Sequence, residues 1–144
     1  SERGEGFAID ARRSRMRYMI IVRATAMSEA GVFPDDPGLM AGMAAFHEDL
    51  AKAGVLLDAA GLQPSAKGWR VRHGSGRPVV VDGPFAETKE LIAGYTVIQV
   101  RSPDEALEWS RRFPWPFPAG IDCEIEVRRL YELEDFAPDP AGAA

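Results

Sequence analysis

Two stretches of helical period, each set between runs of strand period, restrict this chain to few folds. Leu39, Met43, Phe46, Leu50 and Ala53 recur at steps of three and four, giving one apolar stripe on a helix from about Leu39 to Ala53. Gly54 follows, where a helix commonly ends on a left-handed residue. The second helix is announced by Ser102-Pro103-Asp104-Glu105. Serine suits the cap, proline the first position, and Glu105 can reach back to close a capping box. Ala106, Trp109, Ser110 and Phe113 then share one face, and Pro114 stops the helix.

Around these helices the period shortens to two. "RYMIIVR" (Arg17–Arg23), "VLLDAAGL" and "IAGYTVIQV" read as strands, separated by the loop "ATAMSEAGVFPDDPG" and by turn formers. "IDCEIEVRRL" alternates, with Ile121, Cys123, Ile125 and Val127 facing one way and charged residues the other. Trp69, Val71 and His73 alternate against Arg70 and Arg72, so this strand is expected to have one buried side. "HGSGRP" makes its hairpin turn and "VVV" returns. The order strand, helix, strand, hairpin, strand, helix, strand predicts an α+β fold: a ferredoxin-like split βαβ with an extra hairpin and both helices on one sheet face. The other face is expected to present Tyr18, Ile20, Ile98 and Cys123, and a second subunit is the simplest cover for it. Residues 1–15 read as an extension or tag remnant, 16–136 as the domain and 137–144 as a flexible tail.

Composition excludes several partners. A net charge of -5 with scattered basic residues offers no cationic surface for nucleic acid. No apolar run approaches membrane-spanning length. The single cysteine and two histidines have no metal-ligand spacing, so neither metal nor cofactor is expected. One unpaired cysteine fits a reducing cytoplasm.

Between two strands lies "DGPFAETKE", residues 82 to 90. Together with "LAKAGVLLDAAGLQPS" before it and "SPDEALEWSRRFP" after it, this motif resembles the YCII-related family, in its DGPF (DGPFAETKE) branch, from about Arg17 to Arg129. The resemblance implies a bacterial cytoplasmic protein whose ferredoxin-like domains pair face to face as a dimeric α/β barrel. It also keeps open a non-catalytic regulatory or interaction role beside sigma-factor-type regulators. The branch that gave the family its name has a histidine on the first helix and an aspartate after the second, proposed as a catalytic pair. Those positions fall at Met43 and Phe113 here, so no catalytic pair carries over.

The residues themselves supply candidates. Asp82, Gly83 and Pro84 each have a backbone explanation: aspartate accepts N–H groups in a turn, glycine tolerates positive φ, and proline fixes its own. Phe85 would then plug the core. Asp82 can still orient a ligand from a strand end. Glu87, Lys89 and Glu90 have no such turn duty; they form either a solvated edge or a charged rim around a cavity. His47 flanks the apolar stripe of the first helix, either as a half-buried structural group or as a titrating one. With Asp82 and Glu87 it completes the set of candidate acid–base residues. Arg23, Arg70 and Arg72 suit an anion or an exposed edge. Tyr95 offers a phenol to a cavity, whereas Cys123 has no base beside it and reads as a small core residue. The functional expectation is a homodimer, joined through the helix-free sheet face, that binds a small organic ligand through Glu87, Lys89, Tyr95 and Asp82.

Overall fold

The computed structural model describes residues 15–137. The expected extension and tail lie, except for Arg15 and Ala137, outside the described residues. Four strands, β1 (Met16–Arg23), β2 (Leu56–Gly61), β5 (Ile92–Val100) and β6 (Ile125–Arg129), form one sheet in the order β2-β5-β1-β6. Every neighbouring pair is antiparallel. β3 (Trp69–Arg72) and β4 (Val79–Asp82) pair only with each other, as a separate hairpin. The architecture is α+β and compatible with a ferredoxin-like split βαβ. None of the helices among the described residues is long and apolar enough to cross a membrane.

Helix α1 (Ala26–Glu29) is a single turn within the stretch read as a loop, held by a reciprocal cap between Thr25 and Ser28. Helix α2 (Pro37–Lys52) starts on Asp36, whose carboxylate accepts the Leu39 N–H at 3.1 Å. It ends before Gly54, which takes φ +74° as expected. Helix α3 (Pro103–Arg111) is capped by Ser102, whose hydroxyl accepts the Glu105 N–H at 3.1 Å. Glu105 does reach back, but to the N–H of Arg101 at 2.9 Å, one residue before the cap. A short turn, α4 (Leu133–Phe136), closes the described chain.

One cluster joins sheet and helices: Ile20, Ile98 and Val100 from the strands, Phe46 and Leu50 from α2, Ala106 from α3. Both helices therefore cover the same face. Ile20, Leu50 and Ile98 are fully removed from solvent, each stabilising by about 1.5–3 kcal/mol. Trp109 and Phe113 complete the cluster, their rings edge-on to Phe46.

The sheet corrects the sequence-based choice of faces. Tyr18 pairs with Ile98, Ile20 with both Thr96 and Val127, and all of these point toward the helices. The helix-free face is built from the alternate residues, Met19, Ile21, Tyr95 and Val97 among them. Cys123 lies ahead of β6, which begins at Ile125 rather than Ile121, and it is only partly buried. Period alone shows that a strand has two sides but not which side the helices cover.

The hairpin corrects a second expectation. Trp69, Val71 and Val80 are all exposed, so β3 has no buried side. Phe85 does not enter the core; it is half-buried under the Arg70 guanidinium, whose carbon lies 3.7 Å from the ring centre.

Candidate functional site

Register turns the helix-free face into a map. Directly opposed residues share a side, so Ala60, Tyr95, Ile21 and Glu126 form one row across the sheet. Asp58, Val97, Met19 and Arg128 form the next, and Gln99 and Arg17 begin a third. The centre is apolar, made by Met19, Ile21 and Val97. Polar groups flank it on both sides. This is a floor with converging functional groups, the composition that small-molecule sites use.

On the β2 flank the Tyr95 hydroxyl donates to Asp58 Oδ2 at 3.1 Å. That hydrogen bond, and then the carboxylate's charge, raise the phenol above its ordinary range. Tyr95 is therefore a neutral donor and Asp58 the anionic acceptor. A bulge between Leu56 and Asp58 sets this geometry, because it shifts the register that carries Asp58 beside Val97. Gly94 permits the close pairing next to it: a Cβ there would lie 2.9 Å from the Ala60 carbonyl oxygen.

On the β6 flank Arg23 donates to Glu126 at 2.7 Å, while its buried Nε makes no hydrogen bond among the described residues and lies 3.9 Å from the Glu124 carboxylate. Such an orphan donor is uncommon and calls for an explanation. At the far end Arg17 grips Glu132 with two bonds of 2.8 and 3.1 Å. These bonds hold the Glu132 carboxyl below its usual range. A hollow of about 230 Å³ opens there between Arg15, Arg17, Gln99 and Glu132. A second, apolar groove of about 400 Å³ lies elsewhere, between Leu39 at the start of α2 and Trp115 and Phe117. None of Asp82, Glu87, Lys89, Tyr95 and His47 lines either hollow.

The sequence candidates are dispersed. His47 lies on the helix side. Its Nδ1 is 2.8 Å from the Met43 carbonyl oxygen, which can only accept, so Nδ1 carries the hydrogen. Nε2 is hydrogen-bonded to the hydroxyl of buried Thr96, also at 2.8 Å. Thr96 and Tyr95 are adjacent in β5 and point to opposite faces, so the sheet itself separates His47 from Tyr95. Glu87 and Lys89 are exposed in and beside the 3₁₀ turn Thr88–Glu90, and neither forms an ion pair among the described residues. That turn delivers the chain to Ile92, which pairs with Arg23, so both residues precede the Arg23 end of the floor.

Asp82 is exposed at the end of β4, opposite Trp69, and its carboxylate makes none of the expected turn bonds among the described residues. The turn is held differently. Glu29 accepts both the Ser65 N–H, at 3.0 Å, and the Ser65 hydroxyl, and Ser65 Oγ in turn accepts the Phe85 N–H at 3.0 Å. The Gly83 N–H donates to the Gly68 carbonyl at 3.0 Å. Gly83 is not at positive φ; it is required because a Cβ would collide with the Ser65 carbonyl. Sequence reading missed Asp58, Thr96, Ser65 and Glu29, whose partners are 37, 49, 20 and 36 residues away.

Residues 16–131 match the YCII-related domain. A curated relative from Rhizobium meliloti (strain 1021), described as an uncharacterized protein, is 35% identical over 98 residues, 68% of this chain and 79% of the relative. With the match spanning all six strands and α1 to α3, the chain belongs to the YCII-related family.

Proposed function

We propose that this protein is a cytosolic homodimer of the DGPF branch whose two helix-free sheet faces meet as an α/β barrel and enclose a small organic ligand. The apolar floor of Met19, Ile21 and Val97, flanked by Tyr95–Asp58 and Arg23, carries the reading. Met19 and Ile21 are half-buried and Val97 is 9% exposed in the single chain, so a facing copy would cover the apolar area that this floor still leaves open. The apolar centre suits the hydrocarbon or aromatic part of the ligand, and Arg23, which Glu124 and Glu126 already neutralise, supplies a polar boundary on the β6 flank. Glu87 and Lys89, exposed before the same end of the sheet, form the rim across which the ligand enters.

The acid–base chemistry available on this face belongs to Tyr95 and Asp58. Asp58 holds a lone pair for a proton, and Tyr95 offers a neutral hydroxyl to a developing negative charge. His47 contributes no group to the floor, because both its nitrogens are engaged on the other side.

The test is a thermal-shift screen against small organic compounds, followed by binding measurements on Tyr95→Phe, Asp58→Asn, Glu87→Ala and Lys89→Ala. Each variant is expected to melt close to the parent, since exposed charged groups contribute about 0–1 kcal/mol, and to bind the identified compound more weakly. Unchanged binding in all four would move the site elsewhere. A dimer whose interior is filled by its own side chains would favour the regulatory or interaction role.

A further inference from the structure

The hollow at the Met16 end of the sheet carries charges of both signs. Arg15, Arg17, Gln99, Glu132 and Glu134 line its volume of about 230 Å³. Arg17 and Glu132 answer each other through their two hydrogen bonds. Arg15 and Glu134 pair neither with each other nor with another charged side chain among the described residues. The Gln99 amide adds a donor and an acceptor. The hollow is thus neutral in sum, yet one cation and one anion on its walls are unanswered.

Register places it beside the apolar floor. Arg17 and Gln99 oppose each other directly, and the next row on the same face holds Met19 and Val97. Alternate residues along a strand lie about 7 Å apart, so a ligand with its head in the hollow reaches that row with a side chain. A copy laid over this face takes Arg15 and Glu134 out of water together with the floor. A charge buried without a partner is far costlier than one left in solvent. A singly charged ligand answers one of the two and strands the other. A zwitterion answers both: its carboxylate accepts from the Arg15 guanidinium, and its ammonium donates to the Glu134 carboxylate.

From the balanced but unpaired charges and the apolar row next to them, we infer that the enclosed ligand is an α-amino acid with an apolar side chain. Its head sits among Arg15, Gln99 and Glu134, and its side chain lies over Met19 and Val97. The Arg17–Glu132 pair takes no ligand; it fixes the segment that carries Glu134 against β1. The spacing of the rows sets the length of the side chain: leucine, methionine and phenylalanine reach the apolar row, and glycine does not. The inference rests on the ligand-binding reading and adds the class of the ligand.

Calorimetric titration of the full chain tests it. Phenylalanine, leucine and methionine are each titrated beside their analogues lacking the ammonium group and lacking the carboxylate, with glycine as the short control. At least one of the three is expected to bind, with glycine silent and each deleted head group weakening binding about tenfold. Arg15→Ala and Glu134→Ala, both at exposed positions outside the Arg17–Glu132 pair, should melt like the parent and bind the amino acid about fivefold more weakly. Each variant should also lose its own preference: Arg15→Ala that for the carboxylate, Glu134→Ala that for the ammonium. Amino acids that bind no better than their analogues, or that bind both variants as tightly as the parent, overturn the inference. So does binding by none of them while another compound of the thermal-shift screen binds, which leaves the ligand-binding reading standing. A screen in which no compound of any class binds overturns both.

Discussion

The four-stranded sheet and the β3–β4 hairpin are written in the same code and end in opposite environments. β6 in the sheet and β3 in the hairpin both alternate apolar and polar residues, and both pair antiparallel. In the sheet, Ile98 and Val100 vanish beneath two helices; in the hairpin, Trp69 and Val80 face water. Alternation specifies that a strand will have an apolar side. What buries that side depends on elements far away in sequence, or on another molecule.

The largest test of this contrast compares one residue from each region. Leu50→Ala removes a fully buried side chain and should lower the unfolding free energy by about 2–5 kcal/mol. Trp69→Ala, measured in protein dilute enough to be monomeric, should change it by no more than about 0.5 kcal/mol despite the larger side chain removed. Denaturant titrations of the two variants check this, and equal losses would break the contrast.

A smaller effect sharpens the boundary between the regions, which is the turn after β4. Gly83→Ala should cost about 1–3 kcal/mol, because its methyl group meets the rigid Ser65 carbonyl. Gly74→Ala, with open space around it in the hairpin turn, should stay within about 0.5 kcal/mol. A neutral Gly83→Ala would mean that the hairpin is not anchored through this contact.

The smallest effect concerns the far corner. Arg17 holds the folded-state pKa of Glu132 below its unfolded value, so the pair's contribution is present above that unfolded value. It is lost as pH falls through the depressed folded-state pKa. Parent and Glu132→Gln melting temperatures should therefore differ slightly at neutral pH and converge in acid. A gap that widens in acid would contradict the assignment.

How much of this was legible follows the same division. The caps at Ser102 and Gly54, the stripe on α2 and the bounds of β5 are local signals, and reading them needs only neighbours within a few residues. The face assignment of Ile20 and Ile98 was not legible, since period cannot say where the helices pack. Asp82 looked like a turn builder because its residue type fits, but Ser65 and Glu29 do that work from far away in the chain. Asp58 became visible as a site residue only when pairing of β2 with β5 put it beside Tyr95. Local chemistry was readable; convergence required the register.

The account turns on the claim that a second copy covers the helix-free face. Sedimentation equilibrium of the parent chain and of Ile21→Arg at micromolar concentration tests it most directly, since Ile21 lies at the centre of that face and away from the core cluster. The parent should sediment at twice the chain mass of 15.7 kDa, and Ile21→Arg, folded by its circular dichroism, should sediment as a single chain. A parent that stays at 15.7 kDa, or a variant that remains a dimer, would contradict it.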